Sequence, residues 1–279
     1  MIADRRVFTE EQTPHISFSL AVRRWLCSQK SAYQQIEVVE TEDLGRLLAL
    51  DGRVMVTERD ERFYHEMLVH PPLLTHPDPR SVLVIGAGDG GTLREVLRHP
   101  TVERVLWVEI DPEVVAVSRE YLPGICEGVF TDPRVSLHIA AGEAFVRDLE
   151  NEIDVVIVDS TDATGPAHAL FEAPFFRDCQ RALRPGGIYE TQSGSPFYYP
   201  EEARSTERNL REVFAHVRRY HGAVPSFNSG MCAFLTASEE PLDASRDDLA
   251  RRLADRGLDL AYYSPEVHLA SGVIPAALL

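Results

Sequence analysis

Two aspartates three positions apart, Asp159 and Asp162, stand in the stretch VDSTDATGP at residues 158–166, with no basic residue between them. The apolar run IDVVIV leads into the first, and a Gly-Pro turn follows the second. Acids placed this way suit a cationic amine. Asp162 can hold an incoming ammonium, and Asp159, at the mouth of a strand, can accept a proton as the amine attacks. An alkylammonium has a pKa near ~10 and no lone pair for attack, and general-base help is worth on the order of 10²- to 10⁴-fold. On this reading the substrate supplies the positive charge that the acids lack. The plain alternative is a helix cap or turn, where aspartate is common.

A second cluster lies upstream. Gly86, Gly88 and Gly91 of GAGDGG satisfy GxGxxG between the apolar run SVLVIG and the helical text GTLREVLRH. That pattern alone is shared by several kinds of nucleotide-binding sheet. Asp89 narrows the choice, because a carboxylate in this loop would face the pyrophosphate of a dinucleotide at the helix N-terminus. A nucleoside with a cationic tail suits it better than NAD. Glu109 closes the run RVLWVEI, about 20 residues on, where an acid accepts hydrogen bonds from ribose hydroxyls. An adenosyl sulfonium meets both demands; the alternative is that Asp89 and Glu109 are merely solvated at strand ends.

These residues need a scaffold that brings strand ends together. From Ser81 onward apolar runs alternate with helical stretches, which predicts a parallel, doubly wound α/β sheet covered on both faces. Ligands of such sheets sit beyond the carboxyl ends of the strands. There the chain places GAGDGG, then Glu109, then Ala140-Ala141-Gly142-Glu143, then Asp159 and Asp162. Before residue 77 the text is β-rich, with hairpin signals at Asp43-Leu44-Gly45 and Asp51-Gly52. Pro77-Asp78-Pro79 is the expected junction, dividing a small N-terminal β domain (1–77) from a Rossmann-like catalytic domain (78–279).

Composition sets the outer bounds. The 279 residues carry a formal net charge of -16, a field that repels nucleic acid and anionic membrane and gathers small cations. Neither is therefore expected as a partner. The four cysteines, Cys27, Cys126, Cys179 and Cys232, have no metal-like spacing, as expected of reduced thiols in a cytoplasmic protein with no metal. No run approaches the roughly 18 apolar residues of a membrane span.

Over nearly its whole length the chain resembles the spermidine synthases, polyamine aminopropyltransferases that use decarboxylated S-adenosylmethionine. The resemblance runs through FTEEQTPHISFS, SAYQQIEVVETEDLGRLLALDG, TERDERFYHEM, VLVIGAGDGGTLREVLRHP, VEIDPEVV, DSTDATGP, RPGGIYETQSGSPF and YYSPEVH. It implies a β-hairpin domain before a methyltransferase-type Rossmann-like domain, assembled as a homodimer or homotetramer. The nucleoside would be a co-substrate, with no permanently bound cofactor. The resemblance further implies that Gln34, His65, Asp89 and Glu109 hold the donor and that Tyr64 and Asp162 position the acceptor. Asp159 would take the proton, and Gln192 would contact the amine directly or through water.

Several positions depart from that family's pattern. Ala140-Ala141-Gly142 stands where DDG is usual, leaving Glu143 to serve the adenine. Phe227 replaces a tyrosine of the amine pocket, Cys232 a tryptophan, Val7 an N-terminal tryptophan, and Ala163 a proline; His168 stands where glutamate is frequent. Conversion of putrescine to spermidine with release of 5'-methylthioadenosine is the default expectation. The departures keep open another amine, or a relative using intact S-adenosylmethionine as a methyltransferase or specialised alkylating enzyme. A non-catalytic polyamine- or nucleoside-binding protein is the third reading.

Overall fold

The computed structural model describes residues 6–162 and 165–278. Period-2 text before Glu58 folds into an antiparallel sheet of five strands in chain order: β1 (Val7–Thr13), β2 (Ile16–Lys30), β3 (Gln35–Thr41), β4 (Arg46–Leu50) and β5 (Arg53–Thr57). Its last two turns fall at the expected Gly45 and Asp51-Gly52, all three residues at positive φ, a backbone that glycine and short polar residues tolerate. In β1 the alternate residues Phe8, Glu10 and Gln12 are buried. The strand period thus turns an acid, Glu10, toward the interior.

Helix α1 (Glu61–Thr75) leads to a seven-stranded sheet. Its elements are β6 (Ser81–Gly86), α2 (Gly91–Leu97), β7 (Arg104–Glu109), α3 (Pro112–Tyr121), β8 (Val135–Ile139), α4 (Gly142–Phe145), β9 (Ile153–Asp159), α5 (Ala173–Ala182), β10 (Leu183–Gln192), α6 (Pro200–Arg211), β11 (His216–Ala223) and β12 (Met231–Ser238). Two helices follow, α7 (Arg246–Asp255) and α8 (Pro265–Ser271). The strand order is β11-β12-β10-β9-β6-β7-β8.

The expected doubly wound sheet is present, but mixed rather than wholly parallel. Strands β10, β9, β6, β7 and β8 are parallel neighbours, whereas β12 runs antiparallel to both β10 and β11. The connection between β11 and β12, residues 224–230, is too short for a parallel crossover, which takes about a dozen residues or more. An antiparallel hairpin is what that length permits.

Strands β6 and β9 are buried almost end to end. Val82, Val84, Val155 and Ile157 point into one core with Met67 and Leu68 of α1 and Leu93 of α2. Leu83, Ile85, Val156 and Val158 point into another with Phe175 and Phe176 of α5 and Leu210 of α6. Helices therefore cover both faces, which accounts for strands lacking strict alternation. The junction expected at residue 77 lies beyond α1, while the change of packing partner comes before it, between Thr57 and Glu61. A third cluster, Ile36, Val38, Leu48 and Val56 against Val114 and Val117 of α3, fixes the first sheet to the second unit. Among the described residues no helix is long and apolar enough to cross a membrane.

Candidate active site

Between the first sheet and the carboxyl ends of the second lies an open cavity of about 380 Å³. Its wall takes Gly86, Gly88 and Asp89 from the loop after β6, Glu109 from β7, Gly142 and Glu143 from α4, and Asp159 and Asp162 from β9 and its loop. Gln34, Tyr64, Gln192 and Phe227 complete the predicted set, all on the same wall. His65 is absent from it. The ring is buried beside Asp89, with Nε2 3.4 Å from Asp89 Oδ1.

Glycine is required where the loop closes on β9. Gly86 has φ +84°, and a Cβ there would lie 2.1 Å from the carbonyl oxygen of Asp159. Ala87 N–H donates to that same carbonyl at 2.8 Å, so the glycine loop and the loop after β9 share a floor. Asp89 accepts from the backbone N–H of Gly91 at 2.7 Å and pairs with His65 Nε2 at 3.4 Å. On its other side His65 Nδ1 donates to Glu61 at 2.7 Å, and Arg94 pairs with the same Glu61 oxygen at 2.7 Å. Burial acts to deprotonate His65, but Asp89 and Glu61 outweigh it and push its pKa up to about 10. Burial likewise acts to protonate Asp89, yet the charged His65 and the Gly91 N–H hold it below the usual carboxylate range. The loop therefore presents a lasting negative charge.

Glu109 is buried at the end of β7, one oxygen accepting from Asp111 N–H at 2.9 Å. Burial pushes its pKa up to about 7, despite the backbone donors at Asp111 and Ile110. Asp111, the N-cap of α3, also receives Gln34 Nε2 at 2.9 Å and Ser31 Oγ at 2.6 Å. Through Asp111 the first sheet and the second are joined beside Glu109.

Asp159 is gripped by two neutral donors. Tyr64 OH donates to Oδ1 and Thr92 Oγ1 to Oδ2, both at 2.6 Å. Burial first, then the charge of Asp89, raises its pKa against those two donors and His65. The result is an oriented carboxylate more basic than an exposed one. Gln192 spans the neighbouring loop, its Nε2 donating to Ser160 O at 2.8 Å and its Oε1 accepting from Gly194 N–H at 2.7 Å. Phe227 packs on Tyr64 with ring centroids 5.3 Å apart.

One expectation is corrected here. A basic residue does accompany the acids: Arg53 Nη1, from β5, lies 3.8 Å from Asp162 Oδ2. Two further acids were also missed. Glu10 lines the cavity from β1, and Glu202 of α6 approaches Asp162 across Gly194, where a Cβ would be 2.8 Å from Glu202 Oε2 and 3.3 Å from Asp162 Oδ1. Alternation in β1 could have flagged Glu10; Arg53 and Glu202 have no local signal. Of the departures from the family pattern, Cys232 lies on the wall. Val7 occupies the exposed side of β1, and His168 is exposed. Ala163 lies outside the described residues. No group of three His, Cys, Asp or Glu side chains among the described residues is placed to hold a metal.

A glycine loop with an ionised Asp89, the buried Glu109 and the doubly held Asp159 form one acidic site of the class expected for transfer from a cationic nucleoside. Comparisons agree with that class. Residues 61–247 match the spermine/spermidine synthase domain, and residues 6–58 the spermidine synthase tetramerisation domain. A polyamine aminopropyltransferase of Moorella thermoacetica is 44% identical over 270 residues, 96% of this chain and 93% of that protein. One from Bacillus cytotoxicus is 40% identical, with 96% of each covered. A crystal structure of spermidine synthase with the transition-state analogue AdoDATO superposes with a TM-score of 0.95 at 38% identity, covering 99% of this chain and 94% of that one. The spermidine synthase of Thermotoga maritima gives 0.92 at 36%, covering 99% and 93%. The chain belongs to the spermine/spermidine synthase family.

Proposed function

We propose that this chain moves an aminopropyl group from decarboxylated S-adenosylmethionine to a di- or polyamine, releasing 5'-methylthioadenosine and a proton. The observation that carries this reading is the pair of carboxylates on one floor, Asp89 held charged and Asp159 gripped by Tyr64 and Thr92. Asp89 would face the ammonium tail of the donor, and Glu109 its ribose hydroxyls. Asp162 would draw in the acceptor's ammonium, and Asp159 would take its proton. The freed nitrogen then attacks the carbon beside the sulfonium. As the C–N bond forms, the C–S bond breaks and its electron pair stays on sulfur, giving a neutral thioether. Positioning of the two reactants supplies a further share of the rate.

Intact S-adenosylmethionine would bring its carboxylate to Asp89, a like-charge contact that weakens binding. The match to a tetramerisation domain supports assembly of several copies. The four separate free cysteines suit the reducing cytoplasm. One mass-spectrometric assay tests the reading: purified protein with decarboxylated or intact donor, each against diamines, triamines and agmatine. Methylthioadenosine is expected only with the decarboxylated donor. S-adenosylhomocysteine, or any turnover of the intact donor, would overturn it.

A further inference from the structure

Behind Asp89 a chain of buried, alternately charged side chains runs away from the cavity. Asp89 meets His65 Nε2 at 3.4 Å, His65 Nδ1 meets Glu61 Oε2 at 2.7 Å, and Arg94 Nη2 meets that same Glu61 oxygen at 2.7 Å. Arg94 Nη2 also lies 2.9 Å from Glu95 Oε1, and the other Glu95 oxygen is 3.1 Å from His70 Nε2. Glu61, His65, Glu95 and His70 are buried, and of the whole chain Asp89 alone reaches the cavity wall. Buried ion pairs are costly to desolvate, and apolar side chains of similar volume often stabilise a fold as well or better. A chain of them that opens into the cavity at one carboxylate therefore points to a use at that end.

We infer that Glu61 is a positioning residue for the donor: through the His65 ring it holds Asp89, with its charge, where the donor's ammonium tail would lie. The inference rests on the aminopropyl-transfer reading for the identity of that donor. The ring faces a carboxylate at each nitrogen and needs a proton on both to satisfy them. Protonated at Nδ1 alone, it would turn a bare lone pair on Asp89. Arg94 keeps Glu61 in place and is itself anchored, its Nη1 donating to Ile125 O at 3.0 Å. With the ring doubly protonated, Asp89, His65 and Glu61 together carry a net negative charge, which an ammonium balances. Without the Glu61 charge this unit is neutral, or regains its charge only where the ring gives up a proton. The charged and titratable groups around the ring are Asp89 from the loop after β6, Asp159 from the end of β9, Arg94 from α2 and, on α1 itself, Glu61 and Tyr64.

The test compares the unaltered protein with Glu61→Gln, which keeps the shape and removes the charge, and Glu61→Asp, which keeps the charge and shortens the reach. Calorimetry would measure the Kd of decarboxylated S-adenosylmethionine, which carries an ammonium, and of methylthioadenosine, which has none. At about pH 7, Glu61→Gln should weaken the donor by about tenfold or more and methylthioadenosine by less than about twofold, with Glu61→Asp between it and the parent. The donor deficit of Glu61→Gln should shrink toward about pH 9, as the ring, no longer held charged from both sides, gives up its proton. Equal weakening of both ligands, or a milder effect in Glu61→Gln than in Glu61→Asp, marks a packing role and would overturn the inference. If Glu61→Gln does not fold, Glu61→Asp carries the test, with a loss confined to the donor expected and an equal loss for both ligands overturning it. Imidazole nitrogen NMR of the ligand-free proteins, with the His65 signal assigned from its loss in His65→Gln, gives a second readout. His65 should titrate at lower pH in Glu61→Gln than in the parent, and an unchanged titration would also overturn the inference. Failure of the transfer reading looks different: a parent that binds the donor without turning it over ends that reading and leaves the two Kd values to decide the role of Glu61. A parent that does not bind the donor removes both.

Discussion

In the proposed transfer Asp159 would be the base while buried beside another carboxylate. Burial and the charge of Asp89 raise its pKa, so it accepts a proton more readily than an exposed aspartate. Tyr64 and Thr92 donate to its two oxygens and fix the direction of the remaining lone pairs. Replacement of Asp159 by Asn keeps the shape and removes the base. Turnover should fall by on the order of 10²- to 10⁴-fold, with the Kd of methylthioadenosine by calorimetry changed only a few-fold. Near-normal turnover in this variant would end the base role. The pH dependence has a definite sign. A base works deprotonated, so kcat/KM should fall as pH drops through the raised pKa of Asp159, and this acid limb should vanish from whatever residual rate Asp159→Asn retains.

At the scale of elements, the site depends on how α1 and α2 meet the glycine loop. The His65 ring of α1 is seated on Gly91, the first residue of α2, where a Cβ would lie 2.1 Å from Cε1. Gly91→Ala must push the ring away and with it the partner of Asp89. Such overpacking costs about 1 to 3 kcal/mol. Thermal denaturation should show a loss of that order together with weaker nucleoside binding. Gly124, with nothing within 4 Å of its Cβ position, is the control expected to stay near the parent after the same change. Weak effects at both positions would mean that the α1–α2 contact yields easily.

The same elements explain what could be read from the sequence. Glycine loop, strand ends and hairpin turns were legible because each is a local pattern of a few residues with its own backbone demand. The place of His65 behind Asp89 was not, because α1 precedes the sheet and its contact with Gly91 exists only after folding. Arg53 and Glu202 were hidden for the same reason: each reaches Asp162 from an element distant in the chain. The antiparallel course of β12 was readable in principle from the short connection before it, but the alternation of strands and helices upstream suggested a uniform sheet.

For the molecule as a whole the relevant quantity is charge. A formal net charge of -16 surrounds a cavity whose wall carries Glu10, Asp89, Glu109, Asp159 and Asp162, so the distant field and the near one have the same sign. Such a field concentrates cations at the cleft and speeds their arrival, and salt screens it. The Debye length shrinks from about 30 Å at 0.01 M to about 3 Å at 1 M ionic strength. Over that range the KM of a triamine acceptor should rise more steeply than that of a monoamine, since each added charge multiplies the same potential. Binding of methylthioadenosine, a neutral thioether, should move little. Steady-state kinetics at several salt concentrations and a parallel calorimetric series would check both. Equal salt dependence for the triamine and the monoamine would mean that contacts inside the cavity, rather than the field of the whole chain, gather the substrate. The excess of acid would then serve solubility alone.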